Sequence, residues 1–121
     1  MRLFVDVSGS MRGPRLIKFL EYFARFADGY CMPFDHEIKG KGPISDVVKL
    51  VEHASAKSGT DPNCLGPHLG GDGLAVIVSD GLFGNFKVEA SNMVIIDPEK
   101  IKSLQKVALA LTMLDDELTG S

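Results

Sequence analysis

Apolar residues in this chain occur in two patterns: short unbroken runs, and longer segments in which they return every three or four positions. Arg2 to Val7, RLFVDV, is a run of the first kind and predicts a buried strand whose polar interruption comes late, at Asp6. Leu74 to Ser79, LAVIVS, bounded by Gly73 and Asp80, has the character of a central strand covered on both faces, and Met93 to Ile96 repeats it. Helical spacing governs Arg15 to Asp28, where Leu16, Phe19, Leu20, Phe23, Phe26 and Ala27 alternate with Arg15, Lys18, Glu21 and Arg25. Pro14 suits the first turn of that helix and Gly29 its end.

A second helix is expected from Ile44 to Lys57 through Val47, Val48, Leu50 and Val51, with Asp46 near its positive N-terminal end. Asp97 and Pro98 make a cap and first turn for a third, with Ile101, Leu104, Val107, Leu111, Leu114 and Leu118 on one stripe. Leu109 and Met113 widen that stripe, which means either fuller burial or a self-association face. Between the first two helices, YCMPF and DHEIKG read as two short strands turning at Asp35 and His36. SGTDPNCLGPHLGGDG reads as a loop with little regular structure beyond a brief helical turn at Asp61 and Pro62.

Strands alternating with helices predict an α/β fold: a small doubly wound, mostly parallel sheet with helices on both faces, forming one domain over residues 1–121. Charge narrows the partners. Thirteen Lys and Arg stand against 16 Asp and Glu with no basic run, so the electrostatic footprint of a nucleic-acid binder is missing. The apolar stretch Val107 to Leu114 is broken by Thr112 and falls far short of the ~20 residues that span a bilayer. The opening MRLFVDVSGS has no apolar leader core, and a cytoplasmic location is the expectation. Cys31 and Cys64 form no CxxC pair and are expected to be free thiols; with His36 and His68 they make no zinc pattern of enforced spacing.

In open α/β sheets, ligands bind beyond the carboxyl ends of the strands, where the strand order reverses. The loops expected there hold Asp6, Ser8 and Ser10 after the first strand, Thr60 within Ser58-Gly59-Thr60, and Asp80-Gly81 after the central apolar strand. Carboxylates and hydroxyls are hard oxygen donors, suited to Mg²⁺, Mn²⁺ or Ca²⁺ rather than Zn²⁺. Asp6 and Asp80 have a plainer alternative as caps of turns or helices.

These segments, DVSGSM, SGT and VIVSDG, resemble in order the Asp-x-Ser-x-Ser motif, the Gly-Thr loop and the strand-ending Asp-Gly of von Willebrand factor A (VWA) domains. Phe34-Asp35 also resembles a strand ending found in a short A-like group. The resemblance implies a Rossmann-like fold with strand order 3-2-1-4-5, strand 3 antiparallel at one edge. It further implies a metal-ion-dependent adhesion site in which Asp6, Ser8, Ser10, Thr60 and Asp80 hold one divalent ion, Mg²⁺ foremost, some directly and some through water. An acidic side chain of a partner protein would complete the shell. Most members of that family are considerably longer, so helices and at least one strand are expected to be trimmed here.

The function expected is therefore that of a metal-dependent protein-binding module and not an enzyme: Ser8 and Ser10 have no partnered His, and neither HExxH nor GxxxxGK[ST] occurs. Phe83 and Phe86, flanking Gly84, either offer a partner an apolar rim beside the metal or fold back into the core. Two alternatives stay open. One is a small Mg²⁺-dependent hydrolase or phosphoryl-transfer enzyme. The other is a structural subunit whose metal only stiffens three loops.

Overall fold

The computed structural model describes residues 2–7, 14–23, 30–34, 40, 42–52, 62–69, 73–79 and 92–119. Strand β1 (Arg2–Asp6) lies between β2 (Tyr30–Phe34) and β4 (Ala75–Val78), and its residues Leu3, Phe4 and Val5 are buried. With β3 (Gly42–Pro43) and β5 (Met93–Ile96) these form a five-stranded sheet in the order β3-β2-β1-β4-β5. β1, β2, β4 and β5 are parallel, with Phe4 opposite Met32 on one side and opposite Ile77 on the other. Only β3 runs antiparallel, at the edge. The fold is α/β with a mixed sheet, and its order reverses between β1 and β4.

An antiparallel edge strand follows β2 as expected: Tyr30 pairs with Pro43 and Cys31 with Gly42. The turn expected at Asp35 and His36 lies outside the described residues, as do 37–39 and 41. A proline at the second position of a two-residue edge strand fits the rule that proline is confined to edges.

Side chains on a strand alternate between faces, and the core divides accordingly. Leu3, Val5 and Val7 of the β1 segment and Val76 and Val78 of β4 meet three helices: α1 (Pro14–Phe23), α2 (Ile44–Glu52) and α3 (Leu104–Thr119). α1 contributes Leu16, Phe19, Leu20 and Phe23, the i, i+3, i+4, i+7 set, and the Phe19 and Phe23 rings stack at 4.3 Å. α2 adds Ile44 and Val47, and α3 adds Ala108 and Leu111.

Phe4, Ala75 and Ile77 point the other way, with Phe34, to meet Leu65 and Leu69. Leu65 belongs to a seven-residue 3-10 segment, Pro62–His68. Among the described residues all three α-helices pack on one face, and a 3-10 segment lies on the other. The same segment corrects the reading of 58–73 as nearly structureless, because Leu65 and Leu69 supply apolar cover that the second face requires.

The third helix is also divided. Asp97 accepts from the Glu99 N–H at 3.0 Å and caps a 3-10 turn, Pro98–Lys100; after an extended Ile101, α3 starts afresh, with the Ser103 hydroxyl accepting from the Lys106 N–H at 3.3 Å. Within α3, Leu114 of the expected stripe is 39% exposed while Ala108, absent from that stripe, is buried. No described helix is long and apolar enough to cross a membrane.

A polar staple closes the end of the sheet at which β1 and β4 begin. Arg2 donates to the carbonyl oxygens of His68 and Leu69, Asn92 to those of Leu69 and Gly73, and the Leu74 N–H donates to Asp115 Oδ1 at 2.7 Å. Gly73 sits at φ +88°, a left-handed conformation that favours glycine, and so turns the chain into β4.

Two substitutions test this packing by urea denaturation. Phe19→Ala should cost about 3–5 kcal/mol through the cavity it leaves among α1, α2 and the sheet. Asn92→Ala, which strips a donor from two carbonyls in the staple, should cost about 1–3 kcal/mol.

Candidate functional site

Asp6 is the last residue of β1 and, at 1% exposure, one of two buried polar residues among those described; the other is Ser79. Their meeting follows from register. Val5 lies opposite Val78, so the next positions along two parallel strands are Asp6 and Ser79, both on the face that carries Phe4 and Ile77. The Ser79 hydroxyl donates to Asp6 Oδ2 at 2.8 Å across 73 residues of sequence. A carboxylate buried this deeply is tolerated only where polar partners or positive charge offset its lost hydration, and this hydroxyl is one such partner.

The backbone around the pair is tied outward on both sides. The Val7 N–H donates to the Phe34 carbonyl at 2.9 Å, and the Ser79 N–H donates to the Ile96 carbonyl at 2.9 Å. The hydrogen-bond ladders therefore run one residue beyond β1 and β4, and the carboxylate is presented from a braced sheet edge. This edge is the carboxyl end of the two strands between which the order reverses, the position where open α/β sheets place their ligands.

Of the five residues expected to hold a metal, Asp6 is placed here. Ser8, Ser10, Thr60 and Asp80 lie outside the described residues, as do Phe83 and Phe86, although Asp80 directly follows Ser79 in the chain. Among the described residues no three His, Cys, Asp or Glu side chains converge. Ser79 is the participant that motif reading passed over. Alternation places Ser79 with Ile77 and Ala75 on one face of the β4 segment, but its pairing with Asp6 is set by the register of β4 on β1.

Comparison with protein-family models, with curated proteins and with solved structures gave no match. The candidate site therefore rests on its own geometry and on the motif residues.

Near the carboxyl end of β5 a shallow cleft lies between α1 and the turn Pro98–Lys100, lined by Arg15, Lys18, Ile101 and Lys102 among others. Arg15 crosses it to donate to the Glu99 carbonyl at 2.8 Å and approaches the Glu99 carboxylate at 3.6 Å. Both side chains are well exposed, so this bridge orients the turn against α1 and adds little stability.

The two cysteines are not joined by a disulfide and pack on opposite faces of the sheet, Cys31 against the helices and Cys64 toward Phe4 and Leu65, so they do not form a common metal pair. Burial disfavours the thiolate of Cys31 and pushes its pKa from 9.0 up to about 12.

Ser79→Ala should destabilise the fold by about 1.5–3 kcal/mol, as expected for a hydrogen bond to a charged group, with the loss read from urea unfolding at pH 7. Cys31 gives a pH prediction of definite sign. The folded state holds its proton more tightly than the unfolded chain, so its contribution is complete below pH 9 and is lost as pH rises through about 12. Unfolding temperatures followed from pH 8 to 11 should fall more steeply for the native chain than for Cys31→Ala. At pH 8 an alkylating reagent should modify Cys31 only after urea is added.

Proposed function

We propose that this chain is a short VWA-like domain whose adhesion site binds one divalent cation and, through it, an acidic side chain of a partner protein. The observation that carries the reading is the buried Asp6 carboxylate, held by Ser79 at the carboxyl end of β1 where the strand order reverses. The order β3-β2-β1-β4-β5 with β3 antiparallel supports it as well, being the topology that the motif resemblance implied.

The donor set fits a hard cation. Asp6 offers a carboxylate whose orientation is fixed by the Ser79 hydroxyl, and Asp80 would add a second. Ser8, Ser10 and Thr60 would contribute hydroxyl oxygens, with Gly9 permitting the bend between the two serines. Two carboxylates balance the charge of one divalent ion, and the motif holds no base or nucleophile constellation, so its business is binding. A hard divalent ion, Mg²⁺ foremost by the motif resemblance, would supply when bound a positively charged coordination position for a carboxylate oxygen from the partner.

Adding Mg²⁺ or Mn²⁺ to chelator-stripped protein should raise its unfolding temperature. At a hundredfold excess over the dissociation constant the gain is about 2.7 kcal/mol, roughly 10 °C for a domain of this size. Asp6→Asn, which keeps the shape of the side chain and removes its charge, should abolish the rise. A flat response in the native chain would overturn the ion site. Recovery of the same partners with and without chelator in an affinity pull-down would overturn the metal-bridged contact.

A further inference from the structure

α3 turns Ala108 and Leu111 into the core, yet Leu109 is 64% exposed and Met113 58%. At 3.6 residues per turn, Leu109 and Met113 lie on the side of the helix opposite Leu111, and Lys106 and Asp116 continue the same stripe at spacings of three, four and three. Lys106 and Asp116 are also exposed.

The charges along this helix run against its macrodipole. Its first turn carries no acid and its last turn no base. Instead Lys106 stands near the start, with Asp116 and Glu117 at the end. A helix alone is favoured by the reverse arrangement, with anions near its N-terminus and cations near its C-terminus. Two copies laid antiparallel convert the mismatch into complementarity, because each basic start then faces an acidic end and the two macrodipoles oppose one another.

The stripe is symmetric about Leu111. Leu109 and Met113 each lie two residues from it, and Lys106 and Asp116 each lie five. A two-fold axis at the level of Leu111 therefore seats Leu109 of one copy on Met113 of the other, twice, and Lys106 against Asp116, twice. We infer that the outer face of α3 is a homodimer interface, formed by antiparallel pairing of α3 with its copy around this two-fold axis. One helix per protomer makes a small contact, so the dimer is a weak one that assembles in the micromolar range.

Sedimentation of the full chain from about 1 µM to about 1 mM, with chelator present throughout, tests this independently of any metal-bridged contact. A monomer–dimer equilibrium that weakens as salt is added is expected. Lys106→Glu and Asp116→Lys should each weaken dimerisation roughly tenfold, because each turns two attractive contacts repulsive. The double variant K106E/D116K should recover the native affinity. On one helix these residues lie about 15 Å apart, so mutual rescue requires pairing between copies. Circular dichroism should show all three variants folded, as both positions are exposed. A monomer at every concentration would overturn the inference, as would a double variant no stronger than either single one.

Discussion

β1 and β4 lie side by side in the middle of the sheet, each flanked on both edges and covered on both faces, and this double burial constrains everything around them. From Leu3 to Val5 and from Leu74 to Val78 no polar side chain occurs, since none would find a partner there that offsets its lost hydration. Polarity is first admitted where the strands run out, at Asp6 and Ser79, and parallel register brings these two together on one face. The buried hydrogen bond between them is thus a consequence of the same alternation that builds the core. It also leaves a carboxylate oriented at the sheet's reversal point, which is what gives the proposed ion site its anchor.

The two ends of the central strands are built on different principles. At the start of β1 and β4, Arg2, Asn92 and Asp115 bind backbone groups contributed by the 3-10 segment, by Gly73 and by Leu74, so side chains satisfy main chain and close the end structurally. At the carboxyl end the ladders reach Val7 and Ser79, one residue beyond the strands, and side chain meets side chain. The first arrangement spends its polar groups on holding the fold, whereas the second presents them.

The faces are unequal too. α1, α2 and α3 crowd one face, and a 3-10 segment anchored by Leu65 and Leu69 lies on the other, where Ile95 of the edge strand remains 40% exposed. α3 bears the consequence of packing at the margin of the helical layer. Ala108 and Leu111 dock it, and Leu109 and Met113 stay exposed on its outer side.

Much of this was legible in local pattern. The strand runs at Arg2, Leu74 and Met93, the i, i+3, i+4 spacing of α1 and α2, and the Asp97-Pro98 cap are properties of consecutive residues, and burial on a face or stripe is written directly into such periods. The position of Asp6 at a strand end was legible for the same reason. What local pattern could not contain was any pairing between distant segments. That Gly42 and Pro43 pair with Cys31 and Tyr30 depends on the register between two segments. That Leu65 and Leu69 would be recruited from a glycine-rich stretch depends on the sheet face that Phe4, Phe34 and Ile77 present to them. The break at Ile101 depends on how the chain leaves β5 to reach α3. And Ser79 acquires its role only through register with Asp6, 73 residues away, because a hydrogen bond is decided by distance in space and no period along the chain encodes it.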